Sequence, residues 1–343
     1  MSISLFSQKR ILLGVTGSVA AYKAVDLASK LAQAGAVVDT ILSGDAARFV
    51  SPLSYQSVTG HPVYTDADLW GAQAHVLHVG LAHQADLLVI APLTAQTMAK
   101  LANGLADNLL SLAALAATCP LLLAPAMDAG MFAHPATQAN LARLEERGAI
   151  VIGPEEGHLA SGLVARGRMT ESHEILGHIR HTLAQGGPLK DRGIAVTAGG
   201  TQEPLDPIRF LTNRSSGKQG IALAQAALDA GADVTIIAAP MALPAPVGAD
   251  HIPVRTAAEM ADAVLAASKD ADALLMAAAV ADFRPAQAAK QKVKKERGLA
   301  SLDLEPTTDI LAAVASQRQE TGHPRVVVGL SLIHISEPTR LKT

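Results

Sequence analysis

Apolar runs of strand length alternate along this chain with longer segments whose apolar positions recur at helical spacing. Residues 10–14 (RILLG) predict a buried strand. Thr16, Gly17 and Ser18 make a turn, residues 20–34 a helix, and residues 36–42 a second strand. Such a βαβ opening predicts a parallel sheet, because parallel neighbours need a crossover connection. Further buried strands are expected at 85–92 (ADLLVIAP) and 120–125 (PLLLAP), with 94–111 (TAQTMAKLANGLADNLLS) as one helix between them. The plan then restarts. Residues 194–196 read as a strand, Gly199 and Gly200 as a turn, 221–230 as a helix, 232–238 as a strand, and 271–280 (ADALLMAAAV) as another strand ending at ADFRP. LAQAGAVVDTIL in the first half and ALDAGADVTIIA in the second are near copies in pattern. Residues 184–192 (AQGGPLKDR) gather glycines, a proline and charges, and read as the join. The pattern therefore predicts an α/β chain of two tandem doubly wound, mainly parallel three-layer domains, Rossmann-like or flavodoxin-like, over 1–188 and 189–329.

Composition narrows the classes. The 343 residues are 49% hydrophobic and 17% charged, enough for sizeable cores, with aromatics at only 3%. A formal net charge of −3 argues against a nucleic-acid or anionic-membrane surface. The single cysteine, Cys119, rules out an intrachain disulfide and a cysteine metal cluster. No apolar run reaches membrane length, and the apolar run at 11–15 is too short for a signal peptide. A cytoplasmic protein is expected.

Candidate chemistry centres on residues 193–220, a strand, a Gly-Gly turn, a polar loop and a helix opening at Gly217, Lys218 and Gly220. Exposed backbone N–H groups and a positive dipole end suit phosphate. A plain structural turn is the competing reading, and neither a Walker loop nor a dinucleotide fingerprint is present. Loop length favours function, since long loops in compact domains usually carry it. In the first half, residues 14–18 (GVTGS) lack a third glycine, so a small-nucleotide phosphate site fits better, with Ser18 as a donor. Residues 43–52 (SGDAARFVSP) bring Ser43 to a strand exit, although either serine is as readily a helix cap. Small and polar residues at each strand exit predict one shared pocket. The lysines Lys290, Lys292, Lys294 and Lys295 are either a solvated face or a cover over a triphosphate.

The run TAGGTQEPLDPIRFLTNRSSGKQG resembles the signature of phosphopantothenate–cysteine ligases. GVTGSVAAYKA, HVLHVGLAHQADLLVIAPLTAQTMAKLANGLADNLL, PAMDAGMFAHPATQANL and GHLASGLVARGRM match flavin-containing cysteine decarboxylases in order. Together, over about residues 8–329, they resemble the family of bifunctional coenzyme A biosynthesis proteins. That resemblance implies FMN held by Gly17, Ser18, Ser43 and Thr94, with its ring near Met127. It implies His78 as the active-site histidine, with His75 and His83 as neighbours. In such an enzyme the flavin oxidises the thiol-bearing carbon, the resulting group accepts the electrons left by CO2, and the hydride then returns. For the second half it implies CTP and Mg2+. CTP would activate the phosphopantothenate carboxylate as an acyl-cytidylate, and the amine of cysteine would displace CMP. Asn213 would hold the acyl-cytidylate and Lys292 would neutralise triphosphate charge. Met276, Ala277, Ala278, Asp282, Thr308, Asp309, Ile310 and Leu311 would contact CTP. The metal ligands stay unassigned. Trimers of the first domain and dimers of the second are implied.

The chain departs from the family pattern in three places. Asp128 stands where the family has an asparagine, and Ser161 where it has a reprotonating cysteine. An ionised aspartate repels a substrate carboxylate that an asparagine would bind, so either Asp128 stays protonated with Ser161 relaying through water, or this half is impaired. Arg166 and Arg168 remain for phosphate or carboxylate. The family's KNPDI segment is PTTDI here. After Gly329 the chain reads LSLIHISEPTRLKT, which resembles the translation of a sequencing adapter. Residues 330–343 are therefore expected to be non-native and the ligase domain truncated. Two other readings remain open: a decarboxylase with a non-functional ligase half, and a non-catalytic regulatory subunit on the same flavin fold.

Overall fold

Successive residues of the first strand, β1 (Arg10–Val15), face opposite sides of a sheet. Ile11, Leu13 and Val15 enter one core while Leu12 enters another. Both faces are therefore covered by helices, as a parallel sheet requires. The computed structural model describes residues 5–70, 76–293 and 301–330. The chain divides into two units, residues 1–183 and 184–343.

In the first unit, β1 is joined by β2 (Val37–Leu42), β3 (Val63–Tyr64), β4 (Leu87–Leu93), β5 (Leu121–Pro125) and β6 (Ile150–Val151). The sheet order is β3-β2-β1-β4-β5-β6, with every described pairing parallel. The order reverses between β1 and β4, and that switch point is where open α/β sheets place ligands. Its helices are α1 (Ala21–Gln33), α2 (Ala46–Phe49), α3 (Pro52–Thr59), α4 (Leu77–Gln84), α5 (Ala95–Asn103), α6 (Leu109–Ala116), α7 (Ala129–Ala133), α8 (Pro135–Glu146) and α9 (Ser172–Ala184). An antiparallel hairpin of β7 (Glu155–His158) and β8 (Val164–Arg168) stands apart from the sheet. The single helix expected over 94–111 is two. Gly104, at φ +69, ends α5, and Asn108 opens α6 with a reciprocal capping box to Ser111.

The second unit holds β9 (Gly193–Ala198), the hairpin β10 (Gln202–Pro204) and β11 (Phe210–Thr212), then β12 (Asp233–Ala238), β13 (Ala249–Pro253), β14 (Ala273–Met276), the pair β15 (Phe283–Pro285) and β16 (Leu304–Pro306), and β17 (Val326–Gly329). Its parallel sheet runs β13-β12-β9-β14-β17, the first unit's plan again, with the switch between β9 and β14. Helices α10 (Lys218–Asp229), α11 (Ala257–Ala267) and α12 (Ile310–Thr321) cover it. Two expectations change. The loop after β9 contains the β10–β11 hairpin, and the strand expected over 271–280 stops at Met276. It stops because the N–H groups of Ala277 and Ala278 both turn to the Thr197 hydroxyl, at 3.0 Å each. Among the described residues no helix is long and apolar enough to cross a membrane. The doubly wound α/β class is as expected.

Candidate functional sites

The carboxyl ends of the first unit's central strands are stitched together. The Thr16 hydroxyl, just past β1, donates to Pro92 O at 2.7 Å and accepts from Thr94 N at 3.0 Å. Ser43 N donates to Val15 O, and Ala126 N to Leu93 O, at 3.0 Å each. Beside this edge lies a cavity of about 620 Å³, bounded by the start of α1, residues 126–128 and the β7–β8 hairpin. That volume suits a small-molecule site. Gly167 lets the hairpin close in: a Cβ there would meet Met127 O at 2.2 Å, and Met127 N donates to Gly167 O.

The expected residues divide between this cavity and the ground around it. Ser18, Met127, Asp128 and Ser161 line it. Gly17, Ser43, Thr94 and His78 are not among its lining residues. Ser43 and Thr94 act locally as caps, accepting from Ala46 N and Thr97 N. Gly17 is packed on Asp45, whose Cβ would lie 2.4 Å from an added methyl. His78 sits in the first turn of α4 with Nδ1 buried and unpartnered among the described residues. His83 lies in the last turn of that helix, and His75 falls outside the described residues.

Asp128 and Ser161, the two departures from the family pattern, touch. Ser161 Oγ donates to Asp128 Oδ2 at 2.7 Å, and Asp128 Oδ1 accepts from Gly130 N at 2.9 Å as the cap of α7. The Ser161 bond first, then the Gly130 N–H, hold the Asp128 carboxyl below the usual carboxylate range. These bonds favour the ionised form of Asp128, which weighs against the alternative in which it stays protonated.

The cavity also holds a cation that the sequence alone does not single out, Lys23, beside the expected Arg168. Lys23 Nζ reaches Glu171 Oε1 at 2.7 Å and Met169 O at 3.3 Å, and its bond draws Glu171 below its ordinary value. Arg168 Nη2 donates to Glu155 at 3.1 Å, while its buried Nε has no partner among the described residues. Arg166 is committed elsewhere: its guanidinium lies 5.2 Å from the Phe132 ring centroid, and Nε donates to Pro154 O.

In the second unit the same edge is closed by Thr197 and Thr201. Thr201 Oγ1 accepts from Ala281 N at 2.9 Å, and Ala279 N donates to Gly199 O at 2.8 Å. Asn213 Nδ2 donates to Val280 O at 3.1 Å, which fixes it over the exit of β14. Thr307 bonds Asp282 O and Ala281 O, drawing in the segment of Thr308 and Asp309. Asp309 caps α12 at Ala312 N, the Ile310 side chain is buried in the core, and Leu311 is exposed. Asn213, Asp282, residues 276–278 and residues 308–309 thus share one edge. The N–H groups of Ala277 and Ala278 are already taken by Thr197. Lys292 is exposed on a segment tied to the turn between β10 and β11. Lys294 and Lys295 fall outside the described residues. Among the described residues no group of three or more His, Cys, Asp or Glu could hold a metal ion.

Two switch-point sheets in tandem define a doubly wound α/β class in which a second domain repeats the plan of the first. Residues 4–184 match the family model described as flavoprotein, and residues 189–336 that described as DNA/pantothenate metabolism flavoprotein C-terminal domain. The second match runs into the stretch expected to be non-native. A coenzyme A biosynthesis bifunctional protein CoaBC of Bacillus subtilis is 42% identical over 330 residues, which cover 95% of this chain and 80% of that protein. Its counterpart in Mycobacterium tuberculosis is 44% identical over 336 residues, covering 94% and 79%. A solved structure of a PPC decarboxylase variant complexed with pantothenoylaminoethenethiol is 39% identical, covers 50% of this chain and 97% of its own, and gives a TM-score of 0.47. The chain belongs to the family of coenzyme A biosynthesis bifunctional proteins.

Proposed function

We propose that the first half decarboxylates 4'-phosphopantothenoylcysteine with FMN, and that the second half joins cysteine to 4'-phosphopantothenate at the expense of CTP. Membership of the bifunctional family supports both activities. The observation that carries the first is the cavity beside the switch-point edge, lined by Lys23, Met127, Asp128, Ser161 and Arg168. FMN fits such a site, since the cavity is large enough for a ring and the edge offers Gly17, Ser18, Ser43 and Thr94 for its phosphate and ribityl chain. Bound there, FMN would take a hydride from the thiol-bearing carbon and return it, so the net reaction loses CO2, takes up one proton and is redox-neutral. The protein's own part is to place charge. Ionised Asp128 repels the substrate carboxylate, and the Ser161 proton is committed to Asp128. Lys23 and Arg168, which line the cavity and pair with Glu171 and Glu155, are therefore the groups assigned to the anionic end.

Because His78 stands outside the cavity of its own chain, we assign it to a centre shared between copies, in keeping with a homo-oligomer that is trimeric through the first half and dimeric through the second. Exposed Val19, Tyr22 and Trp70 on the same unit suit such contacts. In the second half, Asn213 holds the acyl-cytidylate, and residues 276–278, Asp282 and residues 308–311 surround the nucleotide. Mg2+ would arrive with the triphosphate, because it keeps waters and phosphate oxygens as ligands and needs few protein groups.

Purified chain tests both halves. A yellow protein that releases CO2 from phosphopantothenoylcysteine, and pyrophosphate from CTP only when phosphopantothenate is present, is the expected result. A colourless protein that ignores added FMN removes the first assignment. Absence of phosphopantothenate-dependent pyrophosphate removes the second. Asp128→Asn takes away a repelling charge, and about 1 kcal/mol of relief at near-surface separations corresponds to a KM about fivefold lower. An unchanged KM would show that the carboxylate binds elsewhere.

A further inference from the structure

We propose that Asp206 is a positioning residue that holds the Lys292 segment at the second cleft, gripping the backbone of Val293 together with Arg209. This rests on the ligase reading of the second half. The Asp206 side chain is wholly screened from solvent, yet it carries a charge. Its Oδ1 accepts from Ile208 N at 2.9 Å and Arg209 N at 2.8 Å, which is what a turn needs. Oδ2 goes further. It accepts from Arg209 Nε and Nη2 at 2.9 and 2.6 Å, and from Val293 N at 3.2 Å, 87 residues away in sequence. Arg209 Nη2 then donates to Val293 O at 2.9 Å. Both polar groups of Val293 are thus held by one ion pair. A second tie, Ala289 N to Leu205 O at 2.9 Å, secures the other end of the segment.

The post to which these ties attach is itself fixed. Gln202 N donates to Arg255 O at 2.8 Å, and buried Glu203 accepts from Ala257 N at 2.8 Å at the start of α11. β11 leads from the same turn to Asn213. Lys290 and Lys292 lie between the two ties, and Lys292 makes no hydrogen bond or ion pair among the described residues. A solvated lysine face needs no such anchorage. Lysine placed to meet a triphosphate does, since a flexible four-carbon stem otherwise spreads its charge over many positions. The Arg209 bond, followed by the Ile208 N–H, holds the Asp206 carboxyl far below the usual range, so the grip persists across neutral pH.

Full-length Asp206→Asn, Arg209→Lys and Lys292→Gln proteins decide the matter. An asparagine keeps one accepting oxygen where the carboxylate uses two, so it cannot serve the turn N–H groups and the Arg209–Val293 side together, and lysine loses the two-pronged hold on Val293. Hydrogen exchange of the peptide covering residues 286–293 is expected to quicken about tenfold in Asp206→Asn and Arg209→Lys, with β9 and α10 peptides unchanged. The KM for CTP should rise in Asp206→Asn by about as much as in Lys292→Gln, and the double variant should be no worse than Lys292→Gln alone. Unchanged exchange at 286–293 overturns the proposal. So does faster exchange throughout the second half, which would make Asp206 a folding residue. Losses that multiply in the double variant overturn it as well, because Lys292 would then act independently. A wild-type chain inert towards CTP overturns the ligase reading instead, and the exchange arm alone then decides the tie.

Discussion

The two halves repeat one wiring plan and differ in what they hang on it. At the amino edge of each sheet an aspartate ties the first strand to the fourth. Asp86 accepts from Arg10 N and Lys9 Nζ, and Asp272 accepts from Gly193 N and Arg192 Nη1. At the carboxyl edge a threonine hydroxyl spans the same two strands, Thr16 in the first half and Thr197 in the second. Both threonines are buried. Between these fixed points the first half runs directly from β1 through a short turn into α1. The second half inserts an anchored hairpin before α10. A common frame with a different insertion at the switch point is how one architecture can be adapted to different ligands.

The helix after the first strand gives the sharpest break in the comparison. α1 meets its sheet through alanines, Ala21 and Ala24. α10 comes closer, through Gly220, where a Cβ would lie 2.6 Å from Ala198 Cβ and 2.7 Å from Thr197 O. Most of that obstruction is backbone or short side chain, so it cannot swing aside. Gly220→Val should cost the second half about 3 kcal/mol through overpacking. Hydrogen exchange of β9 and α10 peptides should show it while β1 and α1 peptides keep their protection. Separate peptides are needed because a two-unit chain has no single unfolding free energy. Undiminished protection in β9 would mean that α10 can move away freely.

The repeated apolar pattern was enough to read the frame, because strand-length apolar runs and helix spacing are local properties. What it hid depends on partners distant in sequence. Helical spacing continues through Gly104, so the break between α5 and α6 shows only in the Asn108–Ser111 cap. The apolar run 273–280 looks like one strand until the Thr197 hydroxyl draws off two of its N–H groups. β10 and β11 are three residues each, too short to display a period. Resemblance picked out Asp128 and Ser161 separately. Their contact, and the ionised form of Asp128 that it favours, belong to three-dimensional geometry. The same holds for Lys23 at the cavity and for Val293 in the grip of Asp206.

A middle-sized effect tests whether the two threonines are equivalent. Thr197→Val leaves two N–H groups without their acceptor, those of Ala277 and Ala278. Thr16→Val leaves one, that of Thr94, since Pro92 O keeps its bond from Thr16 N. At about 1 kcal/mol for each half-buried donor left unpaired, the first variant should lose about 2 kcal/mol and the second about 1. Serine at either position keeps the hydroxyl and should recover most of the loss. Exchange protection in β14 and β4 peptides reads each half separately. Equal losses from the two valine variants would show that one of the Thr197 bonds contributes nothing.

The smallest effect concerns the two aspartates and acid. Burial pushes the Asp86 carboxyl up, but the Arg10 N–H and Lys9 more than offset it, and the net value is lowered. The Gly193 N–H first, then Arg192, lower Asp272. A carboxyl depressed in the folded state contributes stability that is complete above its unfolded value, about 3.9, and is lost as pH falls through the folded value. Asp86→Asn and Asp272→Asn should therefore each weaken their own half at pH 7 by less than either threonine change. The gap from wild type should close as the pH falls below about 3.9 and through the depressed folded values, once the wild-type carboxyls are protonated too. Denaturant titrations from pH 7 to pH 2, followed by exchange in β1 and β9, give both curves. A gap that stays constant to pH 2 would mean that these positions act through shape rather than charge, and that the shared amino-edge device is steric in both halves.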